Sequence, residues 1–246
     1  MKRINWQITL ALGLVLLSTV LYLVHFALFR DSHHIFIYFV GDVAFIPIEV
    51  LLVTVVIHQL LSRREKRTML QKMNMVIGAF FSEVGTQLLK SFADLDPKSD
   101  TLRKHVTAAS DWSDRAFRDR RKSLNSHDYA IDSAREDLEQ LRSFLLEKRG
   151  FLLVLLENPN LLEHDSFTDL LWAVFHLTEE LGHRGNLEQI PDTDHEHLVG
   201  DVKRAYKLLV SEWLDYMKHL KDNYPYLFSL AVRTNPFDPH ARPEVG

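Results

Sequence analysis

The sequence predicts an all-α protein with an N-terminal two-helix transmembrane hairpin followed by a cytoplasmic helical bundle. The first sixty or so of its 246 residues contain two long apolar runs, and the remainder carries nearly all of the 29 Lys and Arg and 33 Asp and Glu residues. Beyond the apolar runs, hydrophobic residues recur at three- and four-residue steps, the period of an amphipathic helix. No segment shows the alternation typical of a strand, so we expect helices throughout.

The first apolar run extends from Trp6 to Phe29 without a charged side chain. It is longer than the roughly 20 residues needed to cross a hydrocarbon core. Lys2 and Arg3 precede it, as basic residues precede a signal peptide, but signal peptides have an apolar stretch of only about 7–15 residues and a small-residue cleavage site. We therefore predict a membrane span over about 6–29.

The second apolar run, Ile35 to Leu61, follows the short polar connection 30–34. At about 1.5 Å per residue a helix of this length crosses a bilayer with residues to spare. We predict the second span over about 35–61 and, with the first, a hairpin domain over 1–62.

The basic residues at the membrane ends predict the orientation of the hairpin. The connecting loop contains only Arg30, whereas the second span is followed by a basic cluster. Basic residues near spans stay on the cytoplasmic side. We therefore expect an integral protein of a prokaryotic inner (plasma) membrane, with both termini cytoplasmic. The cluster would also lie against anionic lipid headgroups, although a topology signal alone explains it; its members are Arg63, Arg64, Lys66 and Arg67.

The second span contains two carboxylates and a proline in an otherwise apolar sequence. A charge at the centre of a spanning helix costs about 2.5–3.5 kcal/mol on insertion scales, so such residues usually face a partner, a bundle interior or water. Asp42 and Glu49 are seven residues apart, nearly two helical turns, and thus share one face. Pro47 lacks a backbone N–H and deprives the carbonyl of Val43 of its helical partner. We take Asp42, Pro47 and Glu49 as an intramembrane polar stripe.

A two-helix hairpin has little interior in which to shelter this stripe, and the first span offers only Ser18, Thr19, Tyr22 and His25 as internal partners. We therefore expect the protein to form a homo-oligomer. Copies arranged around an axis would turn the carboxylates inward and form acidic rings that select cations. The structural alternative is that Glu49 is protonated by burial and hydrogen-bonds between helices. The sequence leaves both interpretations open.

The charged region divides into a connecting helix and a bundle. The apolar period over 63–96 predicts an amphipathic helix continuous with the second span, and Gly78 and Gly85 on one face would permit a close helix contact. Over 97–234 we expect a helical bundle, with helices from Asp128 to Asn158, from Ser166 to Gly185, after a capping box at 193–196, and after Pro225. Its proline content predicts that 235–246 is a disordered tail.

Composition excludes several classes of function. The chain has no cysteine, so disulfides, thiolate metal sites and a cysteine nucleophile are excluded. A net charge of -4 gives no reason to expect nucleic acid. The basic residues from Arg115 to Lys122 would suit an anionic partner such as phosphate or lipid, but Asp111, Asp114 and Asp119 are interleaved with the basic segment, which favours a solvated helix face. No phosphate-binding or hydrolase motif is present, so we expect no enzyme and no cofactor.

One local motif resembles a metal-ligating pattern. Glu180 and His183 have the Glu-x-x-His spacing with which ferritin-like bundles present two ligands on one helix face, and His176 lies on the same helix. A di-iron site needs a second motif of this type, which is absent. A solvated or packing role is the simpler interpretation, and His176, Glu180 and His183 are weak metal candidates.

Two functions from different classes are consistent with these patterns. The first is an oligomeric cation- or proton-conducting channel whose second span lines the path and whose cytoplasmic domain assembles or gates it. The second is a membrane-anchored scaffold or sensor whose helical domain binds a cytoplasmic protein. The expected partners are the lipid membrane, further copies of the chain, cations for the first function and a protein for the second.

Overall fold

The computed structural model describes residues 2–106, 112–161 and 164–244, and over these ranges the chain is helical without any strand. The predicted all-α class is therefore confirmed. The chain divides into two compact units, Met1–Glu65 and Lys66–Gly246.

The first unit contains α1 (Lys2–Phe29) and the beginning of α2 (Ser32–Phe80). Arg30 reverses the chain with a φ of 49°, and the Asp31 carboxylate accepts the backbone N–H groups of His33 and His34 at 3.0 and 3.1 Å. Asp31 thus caps the start of α2. The segments Ile8–Phe29 and Ser32–Glu65 are long and apolar enough to cross a membrane.

The side chains of this unit are almost entirely exposed in the single chain. Apart from Ile35, the large apolar residues between Trp6 and Leu61 are between 41% exposed at Tyr22 and 73% at Leu28, and among residues 6–65 whose burial is described only His25 and Ile35 are partly buried. Covering each such side chain contributes about 1.5–3 kcal/mol. The unit therefore presents a large exposed apolar surface.

The second unit is built around α7 (Asp165–Gly182) and α8 (Asp192–Asn223), which pack on each other. Helix α6 (Arg135–Leu156) packs on α7, and α9 (Pro225–Arg233) packs on α8. A π-helical turn, Phe81–Gly85, connects α2 to α3 (Thr86–Asp94); the remaining elements are α4 (Ser99–Val106), α5 (Asp114–Ser126) and a 3₁₀ turn, Leu187–Gln189. Leucines and aromatic residues from these helices form one buried core.

Two helices begin elsewhere than the sequence predicts. The helix expected from Asp128 begins at Arg135, because the Asp137 carboxylate accepts the backbone N–H of Ala134 at 2.8 Å and caps the helix there. The capping box predicted at 193–196 is wrong, since α8 already begins at Asp192, directly after Pro191. Pro191 is the N-cap residue, and its missing backbone N–H costs no helical hydrogen bond at that position.

The start of the tail is packed, which corrects the prediction of disorder for its first residues. Asn235 and Phe237 are each 1% exposed. The Asn235 side-chain amide donates to the carbonyl of Val106 at 3.0 Å, and the Phe237 ring meets the Trp213 ring edge to face at 5.3 Å. Proline content predicted disorder here because it does not take into account a single buried aromatic side chain, Phe237, which packs the segment against the domain.

Of the two glycines predicted to permit close contact, Gly85 is the tightly packed one. A Cβ at Gly78 would meet the Tyr216 hydroxyl at an ordinary 3.5 Å, but a Cβ at Gly85 would lie 2.7 Å from the Phe81 ring and 2.9 Å from the Phe80 ring. Both rings are buried, and Thr86 satisfies the π-turn by donating its hydroxyl to the Phe81 carbonyl at 2.8 Å. The close contacts exclude any side chain at position 85.

We expect Gly85→Ala to lower the free energy of unfolding by about 1–3 kcal/mol, the usual cost of overpacking a core. Gly150 is the matched control, since it is also helical and a Cβ there meets nothing within 4 Å. Gly150→Ala should raise stability by up to about 1 kcal/mol through helix propensity. Thermal unfolding of the full chain in detergent, followed by circular dichroism, measures both. Equal effects of the two substitutions would show that the π-turn is not tightly packed.

The buried carboxyl of Glu212 makes stability depend on pH. Burial raises the pKa of Glu212, and the nearby His164 imidazole and the hydrogen bond from Ser166, at 2.9 Å, offset this only in part. A raised folded-state pKa favours folding at low pH, and that contribution is lost as pH rises above the ordinary glutamate value of about 4.3. Glu212→Gln should therefore become progressively more stable than the native chain between pH 4 and pH 8. Unfolding curves across that range test this, and a pH-independent difference would contradict it.

Candidate functional site

Seven residues of the hairpin unit line an open surface cavity of about 300 Å³, and all of them except His25 and Ile35 are exposed in the single chain. Helix α1 contributes residues at a helical spacing, and α2 contributes Asp42; the lining residues are Ser18, Leu21, Tyr22, His25, Ile35, Tyr38 and Asp42. The His25 ring stacks on that of His34 at 6.2 Å, and His34 meets Tyr38 edge to face at 4.6 Å. The buried Nδ1 atom of His25 has no hydrogen-bond partner among the described residues. A carboxylate, an imidazole and two phenols therefore share one cavity between apolar helices.

The three residues of the predicted polar stripe have different surroundings. Asp42 lines the cavity, Glu49 is exposed on α2 outside it, and α2 remains helical through Pro47. Of the four partners that the first span was expected to offer the stripe, Ser18, Tyr22 and His25 line the cavity with Asp42, and Thr19 does not.

The basic cluster is described only in part. Arg63 and Arg64 are exposed on α2, whereas the side chains of Lys66 and Arg67 lie outside the described residues. Their contact with lipid headgroups remains a prediction.

A second group of chemically capable side chains lies between α7 and α8. His176 and Glu180 are one turn apart on α7, and His197 and Asp201 are one turn apart on α8. The Nε2 atoms of His176 and His197 lie 3.3 and 3.4 Å from Asp201 Oδ2. They lie 3.9 and 3.8 Å from the two carboxylate oxygens of Glu180. We call these four residues, His176, Glu180, His197 and Asp201, the α7–α8 cluster.

Two arginines hold the carboxylates of the α7–α8 cluster. Arg184 donates to Glu180 Oε2 at 2.7 Å and to both carboxylate oxygens of Asp194, at 2.6 and 2.7 Å. Its guanidinium keeps the pKa of Glu180 below the ordinary value, so Glu180 is anionic. Arg204 pairs with Asp201 Oδ1 at 3.2 Å. Each carboxylate is thus oriented by a cation.

His183, the third residue of the predicted motif, does not join the cluster. Its Nδ1 faces the carbonyl oxygen of Glu179 at 2.7 Å, at the C-terminal cap of α7. The structure groups His176 and Glu180 with His197 rather than with His183, and a metal role for the predicted residues stays a prediction. The missed signal is a repeated His-x-x-x-acid spacing, at 176–180 and 197–201, which puts both residues of each pair on one helix face.

The basic segment around α5 is occupied by internal contacts. Arg120 stacks over the Trp112 ring at 3.9 Å, Arg121 pairs with Asp215, and Lys218 of α8 pairs with Asp114 at 2.7 Å. These contacts support the interpretation of a solvated, ion-paired helix face.

The fold and these two clusters define an all-α protein with an N-terminal helical hairpin and a C-terminal helical domain. Family models match both parts: "MJ1433, N-terminal helical domain" matches residues 2–61, and "Uncharacterized protein MJ1433, C-terminal helical domain" matches residues 69–233. Uncharacterized protein MJ1433 of Methanocaldococcus jannaschii is 45% identical over 234 residues, which cover 95% of this chain and 94% of that protein. The chain belongs to the MJ1433 family. No solved structure matches it.

Proposed function

We propose that the chain is an integral membrane protein whose hairpin, assembled from several copies, conducts protons or small cations. The observation that carries this proposal is the cavity in which Asp42 lies with His25, Tyr22 and Tyr38 between two apolar helices. Carboxylate and imidazole groups at membrane depth are costly, and where they occur they commonly form ion pathways or proton relays.

The exposure of the hairpin supports assembly from copies. Two helices cannot enclose a path alone, and the large apolar side chains of α1 and of α2 as far as Leu61, Ile35 apart, are exposed in the single chain. Neighbouring hairpins would cover part of this surface, with lipid covering the rest. Glu49, exposed outside the cavity, would then line the inner half of the same path.

Ion flux into vesicles containing the purified protein tests the proposal. Asp42→Asn and Glu49→Gln should each reduce flux by about tenfold or more, since losing 1.4 kcal/mol of stabilisation for the permeating ion corresponds to a factor of ten. Glu65→Gln is the matched control, because Glu65 lies on the same helix at the far end of the apolar segment. Absence of flux, or equal flux in all four proteins, would refute conduction.

The second candidate function is a membrane-anchored sensor or scaffold. It is favoured by the helical domain, which buries a core of its own between Met73 and Phe237. In this case the protein carrying both Asp42→Asn and Glu49→Gln should still bind the cytoplasmic protein partner of the helical domain. If that protein folds normally but no longer binds the partner, the hairpin is not merely an anchor.

A further inference from the structure

We infer that the α7–α8 cluster is a binding site for a divalent transition-metal ion, with zinc as the best-fitting ion. His176, Glu180 and His197 bring one donor atom each to within 4.8 Å of one another, and Asp201 Oδ2 lies against both imidazole nitrogens. This inference is independent of whether the hairpin conducts ions.

The spacing of the donor atoms matches a tetrahedral site. With Zn–N and Zn–O bonds of about 2.0–2.2 Å, adjacent donors in a tetrahedron lie roughly 3.3–3.5 Å apart. Asp201 Oδ2 lies 3.3 Å from one imidazole Nε2 and 3.4 Å from the other. The Glu180 oxygens lie farther away, at 3.8 and 3.9 Å from the imidazole nitrogens, so Glu180 would complete the set by moving toward the ion.

The buried oxygen of Asp201 is the second observation that points to an ion. The Asp201 side chain is 2% exposed, and its Oδ2 atom has no hydrogen-bond partner among the described residues. The two imidazole nitrogens approach this oxygen closely without donating to it. Leaving a buried charged acceptor unsatisfied is costly. A cation between the three atoms would remove that cost.

The surrounding arginines provide the outer support that metal ligands usually have. Arg204 holds Asp201 Oδ1, so that Oδ2 faces the imidazoles, and Arg184 holds one oxygen of Glu180. Such outer partners fix the orientation of ligating carboxylates. His176 and His197 are 44% and 53% exposed, which gives an ion a direct route from solvent.

The ligand types decide the class of ion. Two imidazoles with two carboxylates and no thiolate suit zinc and other first-row transition metals, whereas Mg²⁺ and Ca²⁺ prefer six or more oxygen ligands. Because the ligands come from two helices, a bound ion would tie α7 to α8.

Zinc titration of the full chain tests the site. The protein is purified in detergent, freed of any histidine tag and stripped with a chelator, then titrated with Zn²⁺ by calorimetry. Co²⁺ in place of zinc reports tetrahedral geometry through its visible absorption. We expect one ion per chain. His176→Ala and His197→Ala should each weaken binding by more than about 100-fold, beyond the 10–100-fold typical of outer-shell changes.

His183→Ala is the matched control, since His183 ends the same helix but lies outside the cluster. It should leave the affinity unchanged. Asp201→Asn, which keeps the shape of the side chain, should abolish the tetrahedral Co²⁺ spectrum while circular dichroism shows the helices intact. Binding that survives His197→Ala, or that is lost equally in His183→Ala, would overturn the assignment, as would the absence of stoichiometric binding to the native chain.

Discussion

Replacing Phe237 by alanine is expected to lower the free energy of unfolding of the helical domain by about 3–5 kcal/mol, the range for truncating a buried phenylalanine. The ring is 1% exposed and packs on Trp213 of α8, so its removal leaves a cavity beside a long central helix. At roughly 2–4 °C per kcal/mol for a protein of this size, the thermal midpoint should fall by about 10 °C.

The control for this substitution lies three residues further along the same segment. His240 is exposed, and His240→Ala should leave the thermal midpoint unchanged. Thermal unfolding of the full chain in detergent compares the three proteins. Equal midpoints for Phe237→Ala and the native chain would mean that the segment is unpacked, as its proline content alone suggests.

Zinc is expected to stabilise the helical domain by about 2.7 kcal/mol when the free ion is at one hundred times its dissociation constant, because an ion that binds only the folded state shifts the unfolding equilibrium. The effect follows from ligands on two different helices, His176 on α7 and His197 on α8. Unfolding would have to release the ion before these helices separate.

Thermal unfolding with and without zinc measures this stabilisation. Repeating it on His197→Ala separates the effect of zinc bound at the α7–α8 cluster from any general effect of zinc. That variant should unfold at the same temperature with and without zinc, whereas His183→Ala should show the full increase. An increase of equal size in His197→Ala would assign the stabilisation to ions bound elsewhere on the chain.

Much of the fold could be predicted because it depends on local periodicity. The uncharged stretch from Trp6 to Phe29 and the three- and four-residue apolar steps after Arg67 depend only on neighbours along one helix. Helix starts were harder, since a single hydrogen bond such as that from Ala134 N–H to Asp137 moves the boundary by several residues. The packing of Phe237 depends on Trp213, 24 residues earlier, which no local pattern reveals.

The sites were predictable only as far as each helix alone allowed. Asp42 was identified from its cost among apolar residues, but its neighbour His25 is on another helix. Likewise His176 and Glu180 were identified on α7, and His197 and Asp201 joined them only through the packing of α7 on α8. Residue spacing identifies the members of such a site that lie on one helix. The members on the second helix become apparent only when the packing of the two helices is known.

Water access to the second span tests the central proposal of a conducting hairpin most directly. The chain has no cysteine, so single cysteines can be placed at Glu49 and at its neighbour Val50 without removing others. In protein reconstituted in vesicles, a charged, membrane-impermeant thiol reagent should label Glu49→Cys rapidly and leave Val50→Cys, on another face of the helix, unlabelled. If both positions resist the reagent, position 49 does not face a water-filled path; if both react at the same rate, water reaches all faces of the helix and no path is defined. Either result contradicts conduction through the hairpin.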